Sequence, residues 1–225
     1  SAHPRQDQKP KTRHPIPAKL VATLNPAPGA DRALTMDLPA AKIQGFFDIP
    51  VETLFGAPIP ANSYRRCFGR GNDEFMVVSP DVGSVARARA FAQKLDMNLA
   101  IVDKRRQKAN SSEVMNIIGD VRGKNVILLD DMVDTAGSLC HAADALVEIG
   151  GAKDIYACAS HGVLSGPALD RIEKSPIKEL ILLDTIPYPK DKPQCGKIRY
   201  ISVAPIFAEA IERIYEEVSI SSLFD

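Results

Sequence analysis

The segment from Val126 to Gly151 constrains the fold more than any other part of the sequence. Four apolar residues, Val126 to Leu129, run directly into two adjacent aspartates, as is typical of a buried strand that ends at the edge of a sheet. Small and hydroxyl residues follow. The next stretch, Leu139–Ile149, has a helical pattern closed by Gly150-Gly151, a usual C-terminal signal. A strand, a short loop and a helix in this order predict one unit of a parallel sheet.

The same alternation of apolar runs and helical patterns continues on both sides of this segment. The predicted strands are Phe75–Val78, Leu99–Val102, Asn125–Leu129, Ile155–Ala159 and Leu180–Leu183, and the predicted helices are Val85–Leu95, Leu139–Ile149, Pro167–Ile172 and Ile206–Glu217. Because the connections between them are short, we predict an α/β fold with a mostly parallel sheet and helices on both faces.

The first 60 residues differ in composition, since they hold ten of the 17 prolines. Proline removes a backbone donor and restricts its neighbour, so we expect this stretch to be less regular than the rest. Within it, Ala18–Leu24 is predicted to form a short helix and Arg32–Met36 a short strand.

Charge and cysteine content exclude several classes of protein. Lys+Arg and Asp+Glu balance at 28 each, so no global field favours a nucleic acid or a membrane surface as partner. No apolar run is long enough to span a bilayer.

The four cysteines are widely spaced and are interpreted as free thiols in a reducing, cytoplasmic compartment. The basic start has no apolar core and is not read as a signal peptide. Since it does not begin with Met, the chain is interpreted as a fragment or a processed form.

The loop at Thr135, Ala136, Gly137 and Ser138 offers backbone amides, hydroxyls and a helix N-terminus, which together suit a phosphate dianion. The aspartates Asp130, Asp131 and Asp134 would repel phosphate. They can instead accept hydrogen bonds from vicinal sugar hydroxyls, or hold a hydrated Mg²⁺. Phosphate donors beside diol acceptors describe a site for ribose 5-phosphate. The alternative is an ordinary acidic turn in which Thr135 or Ser138 caps the helix.

The segment VILLDDMVDTAGSL at Val126–Leu139 resembles the motif of the phosphoribosyltransferase superfamily that binds 5-phosphoribosyl-1-diphosphate (PRPP). Other segments, in order along nearly the whole chain, resemble class I ribose-phosphate diphosphokinases, the PRPP synthetases: Arg5–Asp7, Lys42–Asp48, Val78–Gly83, Val102–Arg106, Val114–Gly119, Ser165–Ala168, Asp184–Pro187 and Ser219–Phe224. The resemblance implies a phosphoribosyltransferase-like domain at 53–205, a remnant of a second, similar domain at 1–52, and a terminal helix and tail at 206–225.

The resemblance also implies an activity, in which the diphosphoryl group of ATP passes to ribose 5-phosphate to give PRPP and AMP with Mg²⁺ as cofactor. Lys104 and Arg106 match catalytic positions on a loop that closes over the phosphates, and Arg106 also matches a substrate contact. The alternative interpretation of Lys104 and Arg106 is a basic turn exposed to solvent. Family members assemble as hexamers built from dimers, so a homo-oligomer is expected.

Two further sites are implied by the resemblance. Asp81 matches a Mg²⁺ ligand of the family, although it could instead cap the helix that starts near Ser84. Arg5, Gln6 and Asp7 match contacts to ATP, although they lie in a terminal segment where order is often lost.

The sequence departs from the family pattern in two places. Pro39 stands where the family has a histidine that helps to hold Mg-ATP, and proline has no ligand atom in its side chain. Much of the family's N-terminal domain is also expected to be absent before Ser1, so the last helix could be exposed or paired elsewhere. The resulting hypothesis is a chain that binds ribose 5-phosphate but has weak or no synthetase activity alone. A regulatory homologue of active subunits remains an alternative. A base phosphoribosyltransferase is another, against which 104–106 and Asp184–Pro187 count.

Overall fold

The computed structural model describes residues 17–24, 29–38, 40–105 and 114–224. Among the predicted site residues, Arg5, Gln6, Asp7 and Arg106 lie outside these ranges, as does Pro39. The chain forms two compact units, Ser1–Phe55 and Gly56–Asp225.

The first unit contains helix α1 (Pro17–Leu24), strand β1 (Ala33–Met36), a 3-10 helix (Ala41–Phe46) and strand β2 (Val51–Leu54). The two strands pair in parallel. The Lys19 ammonium group donates a hydrogen bond of 2.6 Å to the carbonyl oxygen of Phe46, which ties α1 to the 3-10 helix. The predicted helix and first strand are therefore present.

The second unit is built on a seven-stranded sheet with the order β5-β4-β3-β6-β7-β8-β9. Its strands are β3 (Phe75–Ser79), β4 (Asn98–Arg105), β5 (Val114–Ile118), β6 (Asn125–Val133), β7 (Asp154–Gly162), β8 (Ile177–Leu183) and β9 (Ile198–Ile201). All neighbours run parallel except the edge strand β5, which is antiparallel to β4. The predicted mostly parallel sheet is confirmed, with β6 at its centre.

Helices cover both faces of this sheet, as predicted. They are α2 (Pro58–Phe68), α3 (Val85–Leu95), α4 (Gly137–Glu148), α5 (Ala168–Lys174) and α6 (Ala204–Tyr215). Leu128 of β6 belongs to a core cluster with residues of α4 and α5. The adjacent Ile127 belongs to a second cluster with residues of α2 and α3. Successive residues of a strand face opposite sides, so this central strand is buried by both helical layers.

Among the elements that were not predicted from the sequence are β2, β5, α2 and β9. Helix α2 begins with Pro58 and also contains Pro60, and the prolines masked its helical character. Both lie in the first turn, where backbone N–H groups have no partner within the helix, so proline is tolerated there. Several strands also run further than their apolar cores, and β6 continues through both aspartates to Val133. In the described part of the chain, no helix is both long and apolar enough to cross a membrane.

Candidate functional site

Strand β6 carries the acidic pair of the motif to the carboxyl end of the sheet. Asp130 pairs with Ala159 of the parallel strand β7, and both Asp130 and Asp131 are half-buried. Beyond the strand, Thr135 and Ser138 are exposed. The segment therefore opens to solvent at the edge where ligands of parallel α/β sheets bind.

The loop between β6 and α4 forms a cradle of backbone amides, here defined as the N–H groups of residues 135–138. Ala136 has φ 60° and ψ 5°, in the left-handed region. A left-handed residue at a helix N-terminus turns successive N–H groups toward one concave side, a geometry that binds anions. Within the described ranges, no residue accepts a hydrogen bond from the N–H groups of the cradle.

The capping alternative for this loop is not what the structure shows. The residue at the N-cap of α4 is Ala136, and no side-chain hydrogen bond caps this helix. The hydroxyl groups of Thr135 and Ser138 are therefore not used to cap the helix. The cradle consists of donors, as a phosphate group requires.

The two adjacent aspartates have opposite electrostatic environments. Burial raises the pKa of Asp130 to about 7, and the hydrogen bond and charge of Asp131 add to this effect. Burial would also raise the pKa of Asp131, but the hydrogen bond with Asp130 and the Arg87 guanidinium outweigh it, so this pKa lies below its usual value. The Arg87 Nη1 atom is 3.4 Å from Asp131 Oδ2. Near neutral pH the pair thus offers both a proton donor and an acceptor, which suits two neighbouring hydroxyls.

Asp81 lies just beyond β3, at the same edge of the sheet, and it is exposed. Its Oδ1 atom accepts a hydrogen bond of 2.8 Å from the Ser84 N–H. Ser84 is itself the N-cap residue of α3, so Asp81 orders the turn before this helix and does not occupy its cap position. Its charge also contributes to the raised pKa of Asp130, which places negative charge from both strands in one region.

Negative charge in this region fits a divalent cation that arrives with its own oxygen ligands. Among the residues described, no group of three or more His, Cys, Asp or Glu side chains is arranged to hold a metal ion. Mg²⁺ commonly binds through one or two carboxylates, with waters and substrate phosphates as the remaining ligands. Asp81 with Asp130 nearby is consistent with that kind of site.

The residues predicted for catalysis and for ATP binding lie partly outside the described ranges. Lys104 lies in β4, opposite Met115 of β5, but the description covers its backbone and not its side chain. Arg106, Arg5, Gln6 and Asp7 lie outside the described residues. The roles of these five residues stay predictions.

Two residues that the sequence did not single out hold the cradle loop from the side of α5. The Ser165 hydroxyl donates to Asp134 Oδ1, and its N–H donates to the Asp134 carbonyl at 3.0 Å. Arg171 donates through Nη1 to the Thr135 carbonyl at 2.9 Å. Ser165 lies in the Ser165–Ala168 segment of the family resemblance, which was the available signal. No signal in the sequence pointed to Arg171, because its contact joins residues 36 positions apart in the chain.

Hydrogen bonds between polar groups also link the C-terminal ends of β7 and β8. The Thr185 hydroxyl donates to the Ser160 carbonyl at 2.8 Å, so it can accept the hydrogen of His161 Nδ1, which lies 2.8 Å away. This arrangement assigns the Nδ1–H tautomer to His161. The contact ties the His161 ring to the loop that follows β8.

Comparisons with known proteins agree with this architecture. A family model described as a phosphoribosyl synthetase-associated domain matches residues 108–225. The chain is 58% identical over 223 residues to the ribose-phosphate pyrophosphokinase of Clostridium acetobutylicum, an alignment that covers 99% of this chain and 69% of the relative. It is 59% identical over 220 residues to the enzyme of the same name from Caldanaerobacter subterraneus, covering 98% of this chain and 68% of the relative.

A solved structure extends the agreement to three dimensions. The phosphoribosylpyrophosphate synthetase of Mycobacterium smegmatis superposes with a TM-score of 0.84 at 38% identity, covering 96% of this chain and 69% of that chain. Identity at this level over nearly the whole chain, together with the shared fold and the matching family model, shows that the chain belongs to the ribose-phosphate pyrophosphokinase family, whose members are diphosphate-transferring enzymes.

Proposed function

We propose that this chain is a ribose-phosphate pyrophosphokinase that transfers the diphosphoryl group of ATP to ribose 5-phosphate, giving PRPP and AMP. The observation that carries the proposal is the cradle of backbone amides directly beyond the carboxylates of Asp130 and Asp131. This pairing matches the two ends of the sugar phosphate, one an anion and the other a diol.

In the proposed complex, the 5-phosphate accepts hydrogen bonds from the cradle amides and from the hydroxyls of Thr135 and Ser138. The ribose hydroxyls face Asp130 and Asp131. Because Arg87 holds Asp131 charged, Asp131 accepts from one hydroxyl, whereas protonated Asp130 can donate to the neighbouring oxygen. The sugar is thereby fixed at both ends, with its C1 hydroxyl directed out of the site.

The proposed reaction joins the C1 oxygen to the β-phosphorus of ATP, breaks the bond between the β-phosphorus and the oxygen that bridges it to the α-phosphorus, and releases AMP. The proton of the C1 hydroxyl passes to solvent water in this step. Negative charge builds on the transferred group, so catalysis depends on positioning and on nearby cations. Lys104 and Arg106 are proposed to supply those positive charges. Arg5, Gln6 and Asp7 are proposed to contact ATP.

Mg²⁺ is the proposed cofactor, with Asp81 as its protein ligand. When bound, the ion neutralises phosphate charge and orients the ATP polyphosphate. Asp81 would use the oxygen that does not accept the Ser84 N–H, so that its backbone contact is kept.

We further propose that the chain works as a homo-oligomer in the cytoplasm. Helix α6 carries Ile211 and Tyr215 with 59% and 89% of their surface exposed, and an interface would bury such apolar area. Light scattering of the purified chain is expected to give a mass of at least twice the 24.4 kDa of one chain.

A charge placed in the cradle tests the proposed substrate site. Ser138→Asp puts a carboxylate into the first turn of α4, where a negative charge favours the helix, so the fold should keep its stability. We expect the affinity for ribose 5-phosphate to fall by about 100-fold or more, the effect of about 3 kcal/mol of repulsion and lost bonding. Ser138→Asn, which has similar size and no charge, should lose far less. Calorimetric titration with ribose 5-phosphate measures both variants.

The same titration, followed by an assay of AMP release from Mg-ATP and ribose 5-phosphate, separates the functional candidates. AMP formation that the Ser138→Asp variant loses supports the proposal. Tight binding of ribose 5-phosphate without AMP formation would instead indicate a weak or regulatory homologue. Unchanged binding in the Ser138→Asp variant would contradict the site itself.

A further inference from the structure

The segment from Ser165 to Arg171 holds two successive carbonyl groups of the cradle loop. The Ser165 N–H donates to the Asp134 carbonyl at 3.0 Å, and the Arg171 guanidinium donates to the Thr135 carbonyl at 2.9 Å. Ser165 lies in the turn before α5 and Arg171 lies in the last turn of this helix, and neither lies in the motif that forms the cradle.

These contacts decide where the cradle amides point. In a trans peptide unit the C=O and N–H bonds point in opposite directions. A carbonyl of Asp134 or Thr135 that is held on the side of α5 therefore turns the N–H of the next residue to the opposite side. Two of the cradle amides, those of Thr135 and Ala136, are set in this way.

The cradle needs such support because its central residue is strained. Ala136 has a side chain and a φ of 60°, a conformation that costs on the order of 1 kcal/mol for residues other than glycine. Next to it, a Cβ atom added to Gly137 would lie only 3.2 Å from Arg171 Nη1. The glycine therefore lets the guanidinium lie closely against the loop, where it secures the strained turn.

The segment from Ser165 to Arg171 is itself held in place by two lysine side chains. The Lys192 ammonium donates to the carbonyls of Leu164 at 2.7 Å and Gly166 at 3.2 Å. Both of these residues have a φ of 53°. At the other end of α5, Lys197 donates to three carbonyls, those of Ile172, Glu173 and Ser175. The turn and the helix are thus held at both ends.

We propose that Arg171 is a positioning residue for the substrate phosphate: it orders the amides of the cradle through its hydrogen bond to the Thr135 carbonyl, without contacting the reacting atoms. This inference rests on the proposed phosphate site. It assigns to α5 a role in ribose 5-phosphate affinity that the motif itself does not carry.

Two matched variants on the same helix test the role of Arg171. Arg171→Met keeps the length of the side chain and removes its donors. Lys174→Met removes one positive charge about one turn further along α5. The Lys174 ammonium pairs with Asp170 at 2.8 Å and not with the loop. Calorimetric titration should show ribose 5-phosphate affinity about fivefold weaker in Arg171→Met, as for the loss of one hydrogen bond, and within about twofold of wild type in Lys174→Met. Arg171→Lys, which retains a donor, should recover most of the loss.

Salt separates positioning from simple attraction between charges. Screening is strong at about 0.5 M salt and weak at about 0.05 M, so a role in hydrogen-bonding geometry predicts the same ratio of wild-type to Arg171→Met affinity at both concentrations. Equal losses in Arg171→Met and Lys174→Met, or a ratio that falls to unity at high salt, would overturn the inference.

The Ser138→Asp variant keeps this inference distinct from the proposed site. If Ser138→Asp abolishes binding while Arg171→Met binds like wild type, the site stands and the role of Arg171 is refuted. If Ser138→Asp binds normally, the site itself is wrong. Equal thermal unfolding temperatures for wild type and Arg171→Met confirm that affinity, and not folding, is compared.

Discussion

Two neighbouring aspartates in β6 show how much of a site is decided by contacts far away in sequence. The pair Asp130-Asp131 was predicted to face sugar hydroxyls, but nothing in the sequence distinguished one carboxyl from the other. Arg87, on α3, makes the difference through its contact with Asp131. Burial of Asp130 raises the pKa of the other carboxyl. Side-chain burial and ion pairing arise only when strands and helices pack, so the motif alone cannot reveal them.

The raised pKa of Asp130 predicts a pH dependence of stability. In the unfolded chain this carboxyl titrates near 3.8, whereas in the folded protein its pKa is about 7. Between these values the folded state holds more protons, so its stabilising contribution is complete below about pH 4 and declines as pH rises toward 7. Asp130→Asn removes this decline. Urea unfolding without ligand should show the variant gaining on the order of 4 kcal/mol over wild type between pH 4 and pH 8.

The neighbouring carboxyl serves as the control, because its pKa shift has the opposite sign. Since the pKa of Asp131 is lowered, its contribution is present above the unfolded pKa and is lost as pH falls. Asp131→Asn should therefore be less stable than wild type at neutral pH, through the loss of the Arg87 contact. A gain for Asp130→Asn that does not change with pH would contradict the assigned environment of Asp130.

At the scale of elements, α4 joins the cradle to the sheet, and its far end approaches other elements closely. A Cβ atom added at Gly150, just beyond α4, would lie 2.6 Å from Val121 Cγ2, 2.7 Å from the Leu146 carbonyl oxygen and 2.9 Å from Ile117 Cδ1. The pair Gly150-Gly151 was read from the sequence as a helix stop. The structure adds that Gly150 also allows close packing against β5 and the residues that follow it.

Gly150→Ala is accordingly expected to destabilise the second unit by about 2 kcal/mol, as overpacking in a tight contact does. Gly196→Ala is a matched control, since an added Cβ there meets nothing within 4 Å, and its effect should stay within about 0.5 kcal/mol. Chemical denaturation measures both variants. Equal stabilities would show that the end of α4 is packed less closely than described.

Local patterns predicted some elements and hid others. Helix α3 and the core of β6 were predicted because unbroken apolar periodicity coincides with their bounds. Helix α2 was missed because proline in a first turn is indistinguishable, within one sequence, from proline in a loop. Strand β9 was missed because it is short and alternates polar with apolar residues after an irregular stretch.

At the scale of the whole second unit, the order of strands explains why the proposed site lies where it does. Strand β6 lies between β3 and β7 in the sheet and runs parallel to both. Asp81 follows β3, the aspartate pair lies in the C-terminal half of β6, and His161 lies near the C-terminal end of β7, so all of them lie toward one edge of the sheet. The motif and the family resemblance predicted this edge. The support from Ser165 and Arg171 could not be predicted, because it depends on how α5 packs beside the loop.

The most direct test of the account is a crystal structure of the chain with ribose 5-phosphate. The account predicts phosphate oxygens within hydrogen-bonding distance of the backbone N–H groups of residues 135–138, and ribose hydroxyls facing Asp130 and Asp131. A sugar phosphate bound in the opposite orientation, or bound away from the end of β6, would contradict it.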